Sequence, residues 1–248
     1  MSLINFFGNK KKPETDYLQH YSVDLHSHLI PNVDDGVSSI EESINLFTFF
    51  KSIGIKKIYT TPHISLNFPN SPEKLRNIYV QLKDELIKRN IGIELEVGAE
   101  YMIDDGFRSI FESGNLMTFH TNFVLIELTT FSPHPDFYNL LFEMQSNGYT
   151  IILAHPERYL YWQNDLNTFK RLKDRELLFQ MNLLSLTNIY SPDIHKMAMW
   201  LIKEKMIDLV GSDIHNGQYI PKIKEVLSGK IFQTLINSGQ VKNNALLG

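Results

Sequence analysis

Residues 24–36 read DLHSHLIPNVDDG, with His26 and His28 one residue apart behind Asp24, and adjacent carboxylates Asp34 and Asp35 before Gly36. Side chains two apart on a strand point to the same side, so His26 and His28 can chelate one ion together. The same spacing recurs near the other end of the chain, where GSDIH places Asp213 two residues before His215. Between these pairs, TTPH brings His63, VGAE brings Glu100, VLIE brings Glu127, and LAHPER brings His155 and Arg158. Imidazoles mixed with carboxylates, without sulfur, suit Mn, Fe or Zn, and suit Mg less well where histidine is so abundant.

Several of these positions also have a plainer reading. Glu127 could face solvent at a sheet edge, and Asp35 with Gly36 makes a good turn signal. Asp24 shares the face of His26 and either supports that imidazole from behind or simply starts the strand. His20, His120, His134 and His195 fall outside the motifs and read as surface or structural residues.

The segments that carry these groups are short β-rich runs alternating with helical patterns. YSVDLH precedes a helix expected over 40–52, IKKIYTTPH one over 72–89, NFVLIEL one over 136–146, YTIILAH one over 164–174, and LLFQMN one over 192–204. IELEVGAEY and IDLVGSDIH complete about seven strands, an alternation that predicts parallel strands and an α/β barrel. Six strand ends, DLHSH, TTPH, VGAE, LIE, LAHPER and GSDIH, carry His, Asp or Glu. In a parallel barrel those ends converge on one rim, where active sites assemble.

Bulk properties narrow the function further. The 248 residues are 43% hydrophobic and 21% charged, an ordinary globular balance, with a formal charge of -4. Nothing global suggests nucleic acid, and no basic stripe with interleaved aromatics appears. Cysteine is absent, which removes disulfides, thiolate sites and every cysteine-nucleophile mechanism. No apolar run reaches the roughly 20 residues of a transmembrane helix, and the N terminus lacks the order of a secretory signal. A cytoplasmic protein is expected, with an N-terminal arm over 1–22 and a single barrel domain over 23–248. In that arm LINFF followed by NKKK admits a peripheral seat at the inner membrane face, although a solvated tail is the plainer reading.

HSH, TPH, GAE, LAHPERY and SDIH, in this order and spacing, resemble the polymerase-and-histidinol-phosphatase (PHP) superfamily. The opening DLHSHLIPNVDDG, with TTPH and AHPERY, is similar to its capsule-associated bacterial protein-tyrosine phosphatases, and the likeness runs from about Val23 to about Asn216. The resemblance implies a distorted (β/α)7 barrel of the PHP type holding three divalent metal ions, Mn before Fe, Zn or Mg. Carried over by position, His26, His28, Glu100 and Asp213 hold one ion. Glu100 bridges to a second, completed by Glu127 and His155. Asp35, His63 and His215 hold the third, with Asp34 as the alternative to Asp35.

Three such ions with four carboxylates leave an excess of about two positive charges, a site that attracts a phosphate dianion. Metal-activated water supplies hydroxide near neutral pH, so hydrolysis needs no phosphoenzyme. Arg158 is the candidate for stabilising charge on the phosphate oxygens. The related phosphatases commonly carry a second arginine shortly after SDxH; HNGQYIPKIK has none, and Lys222 or Lys224 could replace it only as a point charge. A phenolate leaving group needs protonation less than an alkoxide does, which favours phosphotyrosine. Tyr101, Phe131, Tyr159 and Tyr161 are candidates to line a slot for the ring. The resemblance implies as partner a tyrosine-phosphorylated protein, a membrane-associated bacterial tyrosine kinase that regulates capsular or exopolysaccharide synthesis. The alternatives are a histidinol-phosphatase-like phosphoesterase and a noncatalytic phosphotyrosine-binding module.

Overall fold

The computed structural model describes residues 20–248. Most of the expected arm, including its apolar and basic stretches, lies outside the described residues. Tyr21 and Ser22 pack on the barrel: the Tyr21 hydroxyl donates to Asp24 at 2.7 Å, and the Ser22 N–H donates to Asn244 at 2.9 Å.

Strands and helices alternate along the chain. The first half runs β1 (Val23–Asp24), α1 (Ile40–Ser52), β2 (Lys57–Thr60), β3 (His63–Ile64), α2 (Pro72–Lys88), β4 (Glu94–Val97), β5 (Glu100–Met102), α3 (Phe107–Glu112) and β6 (Phe123–Glu127). The second runs α4 (Phe137–Ser146), β7 (Thr150–Ala154), α5 (Asn167–Asp174), β8 (Leu178–Asn182), α6 (Pro192–Lys203), β9 (Leu209–Gly211), α7 (Ile220–Ser228), α8 (Lys230–Asn237) and α9 (Asn243–Leu247). Helix starts follow local chemistry. Ser39, Ser71 and Ser191 each accept a backbone N–H of the first turn, and Pro72 and Pro192 sit where a missing N–H costs nothing.

Every strand pair is parallel. One sheet has the order β1-β2-β4 and the other β3-β5-β6-β7-β8-β9. β2 and β3 are one strand interrupted at Thr61–Pro62, and β4 and β5 one strand interrupted at Gly98–Ala99, so the strands occupy seven positions. Ser27 bridges Ile214 in parallel, the His28 N–H donates to the Ile214 carbonyl at 3.0 Å, and the Asp213 N–H donates to that of His26 at 2.7 Å. First strand meets last. The fold is the expected distorted (β/α)7 barrel.

Alternation along the strands separates two apolar layers. Val23, Leu25, Tyr59, Phe123, Leu125, Ile152 and Leu209 form the barrel interior, while Val124, Ile126, Ile151, Leu153, Phe179 and Met181 face the helices. Leu247 of α9, fully buried, joins the interior cluster, and its carbonyl accepts the Tyr59 hydroxyl at 3.0 Å. Burial of one such leucine contributes about 1.5–3 kcal/mol. Phe123 and Leu125 point inward, so the same parity carries Glu127 inward at the end of β6. This register keeps its carboxylate off the outer surface.

Candidate metal centre

The strand ends bring the predicted residues to one mouth of the barrel. His26 and His28 flank Ser27 at the floor, with no exposed surface. The His26 Nε2 lies 3.1 Å from Glu100 Oε2 and 3.4 Å from Asp213 Oδ1, and the His28 Nε2 lies 3.5 and 3.4 Å from the same two atoms. Two ligands about 2.1 Å from a common ion, at tetrahedral or octahedral angles, stand about 3.0–3.4 Å apart. These separations are of that kind.

Glu100 is at the centre of the cluster. Its Oε1 meets His155 Nε2 at 3.0 Å, while its Oε2 is also 3.2 Å from His63 Nδ1. That same His63 nitrogen is 3.0 Å from Glu127 Oε1. Its other nitrogen and the His215 Nε2 face Asp35 Oδ1, at 3.6 and 3.5 Å. Three groups emerge whose ligand atoms all lie within 4.8 Å of one another: His26, His28 and Glu100; His63, Glu100 and Glu127; His28, Asp35, His63 and His215.

Asp34 and Asp35 have different surroundings. Asp34 accepts from His28 Nδ1 at 2.8 Å and from the backbone N–H groups of His63 and Gly36, each at 3.0 Å, so its oxygens are spent on orienting the imidazole and loop. Asp35 points into the cleft. Gly36 is required for this packing, because a Cβ there would meet the His28 carbonyl at 2.4 Å. His155 and Asp213 follow their strands with positive φ, 32° and 49°. Non-glycine residues adopt that region at a cost, and both depart there from plain strand alternation as they enter the site.

Electrostatics reflect the crowding. Burial alone would pull the His26 imidazole down, but Glu100 and Asp213 outweigh it and hold the pKa at about 9. Burial would raise Glu100 and Asp213; His26 and the neighbouring imidazoles instead keep both well below the usual carboxylate range. Asp34 is likewise drawn down, to about 2, by its bond to His28 against the effect of burial. Behind the site, burial lifts Asp24 to about 6, although Ser212 and Tyr21 donate to it.

A chain of side-chain amides backs the cluster. Asp213 Oδ2 can only accept, so the Asn182 Nδ2 donates to it, at 2.6 Å. Asn182 Oδ1 then receives Gln180 Nε2 at 3.0 Å, which turns Gln180 Oε1 toward His26 Nδ1 at 2.7 Å. In its neutral, cation-binding form His26 therefore carries its proton on Nδ1 and presents a lone pair at Nε2, toward Glu100 and Asp213. Gly211 leaves room for this contact, since a Cβ would stand 2.6 Å from that of His26. Gln180 and Asn182 escaped the sequence reading, although they sit two apart at the end of a strand just as His26 and His28 do.

Above the floor, a cleft of about 340 Å3 is lined by Asp35, His63, Glu100, Glu127, His155, Arg158, Asp213 and His215, with Tyr190, Asn216 and Tyr219. Arg158 lies 3.6 Å from Asp213 Oδ2 and over the Tyr190 ring, 5.5 Å from its centroid. Lys222 pairs with Glu225 at 2.8 Å and Lys224 stands over Phe49; neither lines the cleft. Among the described residues Arg158 is the one arginine lining it, and the segment after SDIH contributes Asn216 and Tyr219 instead. The expected aromatic slot is corrected in part. Tyr101 and Tyr159 are core residues whose hydroxyls bind backbone, Tyr161 packs on Tyr159 and Trp162, and Phe131 stands on a neighbouring groove. Tyr190, from an irregular segment, and Tyr219, from a 3-10 turn too short for a periodic signal, are the aromatics at the cleft. His134 and His195 bind Asp105 and the Ser185 carbonyl, away from the cluster.

Residues 22–236 match the family model described as capsular polysaccharide synthesis, CpsB/CapC. The chain belongs to the CpsB/CapC family. CapC of Staphylococcus aureus is 30% identical over 197 residues, covering 78% of this chain and 77% of that protein. The tyrosine-protein phosphatase YwqE of Bacillus subtilis is 28% identical over 197 residues, with the same coverage of each. A solved structure from work on YwqE of Bacillus subtilis and CpsB of Streptococcus pneumoniae, described as metal-dependent tyrosine phosphatases, superposes with a TM-score of 0.77 at 25% identity, over 87% of this chain and 90% of that one. Histidinol phosphate phosphatase from Lactococcus lactis shares the fold, with a TM-score of 0.50 at 15% identity.

The cluster in this CpsB/CapC chain fits divalent cations. The buried atoms His63 Nδ1, Glu100 Oε2 and His155 Nδ1 make no hydrogen bond to the protein, and Glu100 Oε2 is within 3.5 Å of three imidazole nitrogens. Imidazole nitrogens and a carboxylate oxygen gathered this closely in a buried cluster suit a cation between them.

Proposed function

We propose that this protein is a metal-dependent protein-tyrosine phosphatase that hydrolyses phosphotyrosine on a tyrosine kinase of capsular or exopolysaccharide synthesis, at the cytoplasmic face of the membrane. Among the described residues no helix is long and apolar enough to cross a membrane. Residues 23–248 act as one barrel domain. The observation that carries the reading is the convergence of nine His, Asp and Glu side chains on a cleft overhung by Arg158, in a chain whose relatives are tyrosine phosphatases.

Three divalent cations, Mn the first choice, would be held by His26, His28, Glu100 and Asp213; by Glu100, Glu127 and His155; and by Asp35, His63 and His215. Bound there, they supply Lewis acidity and activate water near neutral pH. The protein's part is placement. The Gln180–Asn182 amides fix the His26 tautomer, and Asp34 fixes the His28 ring. Arg158, aimed by Asp213 and Tyr190, grips the phosphate oxygens. Tyr190 and Tyr219 wall the phenol ring. With no cysteine in the chain, no thiol-phosphate intermediate forms. The phenolate, a good leaving group, departs without a strong general acid.

The deciding assay gives stripped protein, reloaded with Mn, Zn or Mg, three substrates side by side: p-nitrophenyl phosphate, a phosphotyrosine peptide and histidinol phosphate. Fastest release from the aryl substrates is expected. Faster turnover of histidinol phosphate, or no release under any metal, overturns the reading.

Two properties of metal binding follow. Gln180→Met removes the acceptor that holds the His26 proton on Nδ1, and metal affinity, read by chelator competition, should weaken about 10–100-fold with the fold retained. An unchanged affinity would contradict the tautomer argument. In the metal-free protein His26 stays protonated up to about pH 9, so a cation must displace that proton. Between about pH 6 and 8 the apparent association constant should rise about tenfold per pH unit for each proton released. Calorimetry in buffers of different ionisation enthalpy counts those protons; a count of zero contradicts the prediction.

The raised His26 pKa stabilises the metal-free fold below its unfolded value of about 6.5, and this contribution is lost as pH rises through about 9.

A further inference from the structure

Beyond His63, Glu127, His155 and Arg158 the cleft continues into a second groove of about 510 Å3. Its lining is largely apolar, with Leu66, Phe68, Met102, Leu128 and Phe131. Leu66 is 63% exposed and Phe131 88% exposed. A lone exposed hydrophobe is ordinary, but two on one groove that shares four residues with the reactive cleft mark a binding surface.

The groove is also built in advance. Asp104 accepts the Leu66 N–H at 2.8 Å and the Gly106 N–H at 2.9 Å, tying the two loops together. The Leu66 side chain packs directly over the Gly106 backbone, where a Cβ would stand 2.9 Å from Leu66 Cδ2. The Phe68 ring stacks on His63, 5.3 Å between centroids, and the Thr129 hydroxyl donates to the Ser132 carbonyl at 2.6 Å. These contacts order the backbone of the loops that carry Leu66 and Phe131, so part of the ordering cost is met before any ligand arrives.

Resting on the phosphatase reading, we propose that this groove seats the polypeptide adjoining the phosphotyrosine and takes an apolar side chain of that segment against Leu66 and Phe131. Continuity with the cleft fixes the occupant as the same molecule whose phosphate meets Arg158. Its chemistry follows from the lining. Among the described residues no lysine lines the groove, its charged Arg158 and Glu127 stand at the end shared with the cleft, and both Asp104 oxygens are engaged by backbone N–H groups, so a charged flanking residue gains little beside Leu66 and Phe131 while an apolar one buries surface. A small phosphate ester leaves the groove empty.

The test uses Mn-loaded full-length protein, two phosphotyrosine peptides of equal length with leucine or glycine on both sides of the phosphotyrosine, and p-nitrophenyl phosphate. Wild type should favour the leucine peptide about tenfold in kcat/KM, mostly through KM. The double variant Leu66→Ser, Phe131→Ser should erase that preference and leave p-nitrophenyl phosphate turnover unchanged. Equal use of both peptides by wild type, or a preference surviving in the double variant, overturns the groove's role. So does a proportionate loss on p-nitrophenyl phosphate in that variant. If wild type releases phosphate from none of the three, the phosphatase reading fails, and the groove's role with it.

Discussion

Asp213→Ala should lower phosphate release from an aryl phosphate by about a thousandfold or more and leave the purified protein short of metal, with its circular dichroism retained. The size of the effect follows from what the carboxylate touches. One oxygen lies 3.4 Å from both His26 Nε2 and His28 Nε2. The other accepts from Asn182 and faces Arg158. Removing the side chain therefore takes a candidate ligand from the cluster, frees the Asn182 amide and releases the chain of bonds that orients His26. It also takes from Arg158 the charge that aims it. Metal content by elemental analysis and turnover should fall together. Full metal occupancy with lost activity would place Asp213 outside the metal shell.

Arg158→Ala should behave differently. Its guanidinium stands on the cleft wall with no role in the ligand clusters, so metal content should match wild type while kcat falls about a hundredfold, roughly 2.7 kcal/mol of transition-state stabilisation. Among the described residues the cleft has no second arginine to share that task, so nothing in the lining substitutes for the lost fork of donors. Arg158→Lys restores the charge but not the bidentate geometry and should recover only part of the rate. Steady-state kinetics with elemental analysis on the same samples check this. Metal loss in Arg158→Ala would show that the residue holds the centre together and would remove its assigned role.

The sequence revealed the parts of the site that obey periodicity. His26 with His28, and Asp213 with His215, were legible because strand ends place residues two apart together, and six such ends in an alternating chain pointed to one barrel rim. Glu127 needed the structure. Its inward direction depends on the parity of Phe123 and Leu125, which a run of consecutive apolar residues does not disclose. Asp34 and Asp35 are adjacent carboxylates that local pattern does not tell apart, and Asp35 also carries a turn signal with Gly36; the contacts of Asp34 with His28, His63 and Gly36 distinguish them. Gln180 and Asn182 had the right spacing, but uncharged amides carry no ligand signal of their own. Tyr190 lies in an irregular segment and Tyr219 in a short 3-10 turn before α7, where position depends on tertiary packing rather than on a long local pattern. For the same reason Tyr101 and Tyr159, adjacent in sequence to site motifs, turned out to serve the core.

The central proposition is that separate strand ends build one multinuclear cation site. Anomalous diffraction from crystals of the protein grown with Mn tests it most directly. Three peaks are expected, one among His26, His28, Glu100 and Asp213, one beside Glu127 and His155, and one beside Asp35, His63 and His215. Crystals with no anomalous peak inside the barrel mouth, or with Mn only at scattered surface carboxylates, would contradict it.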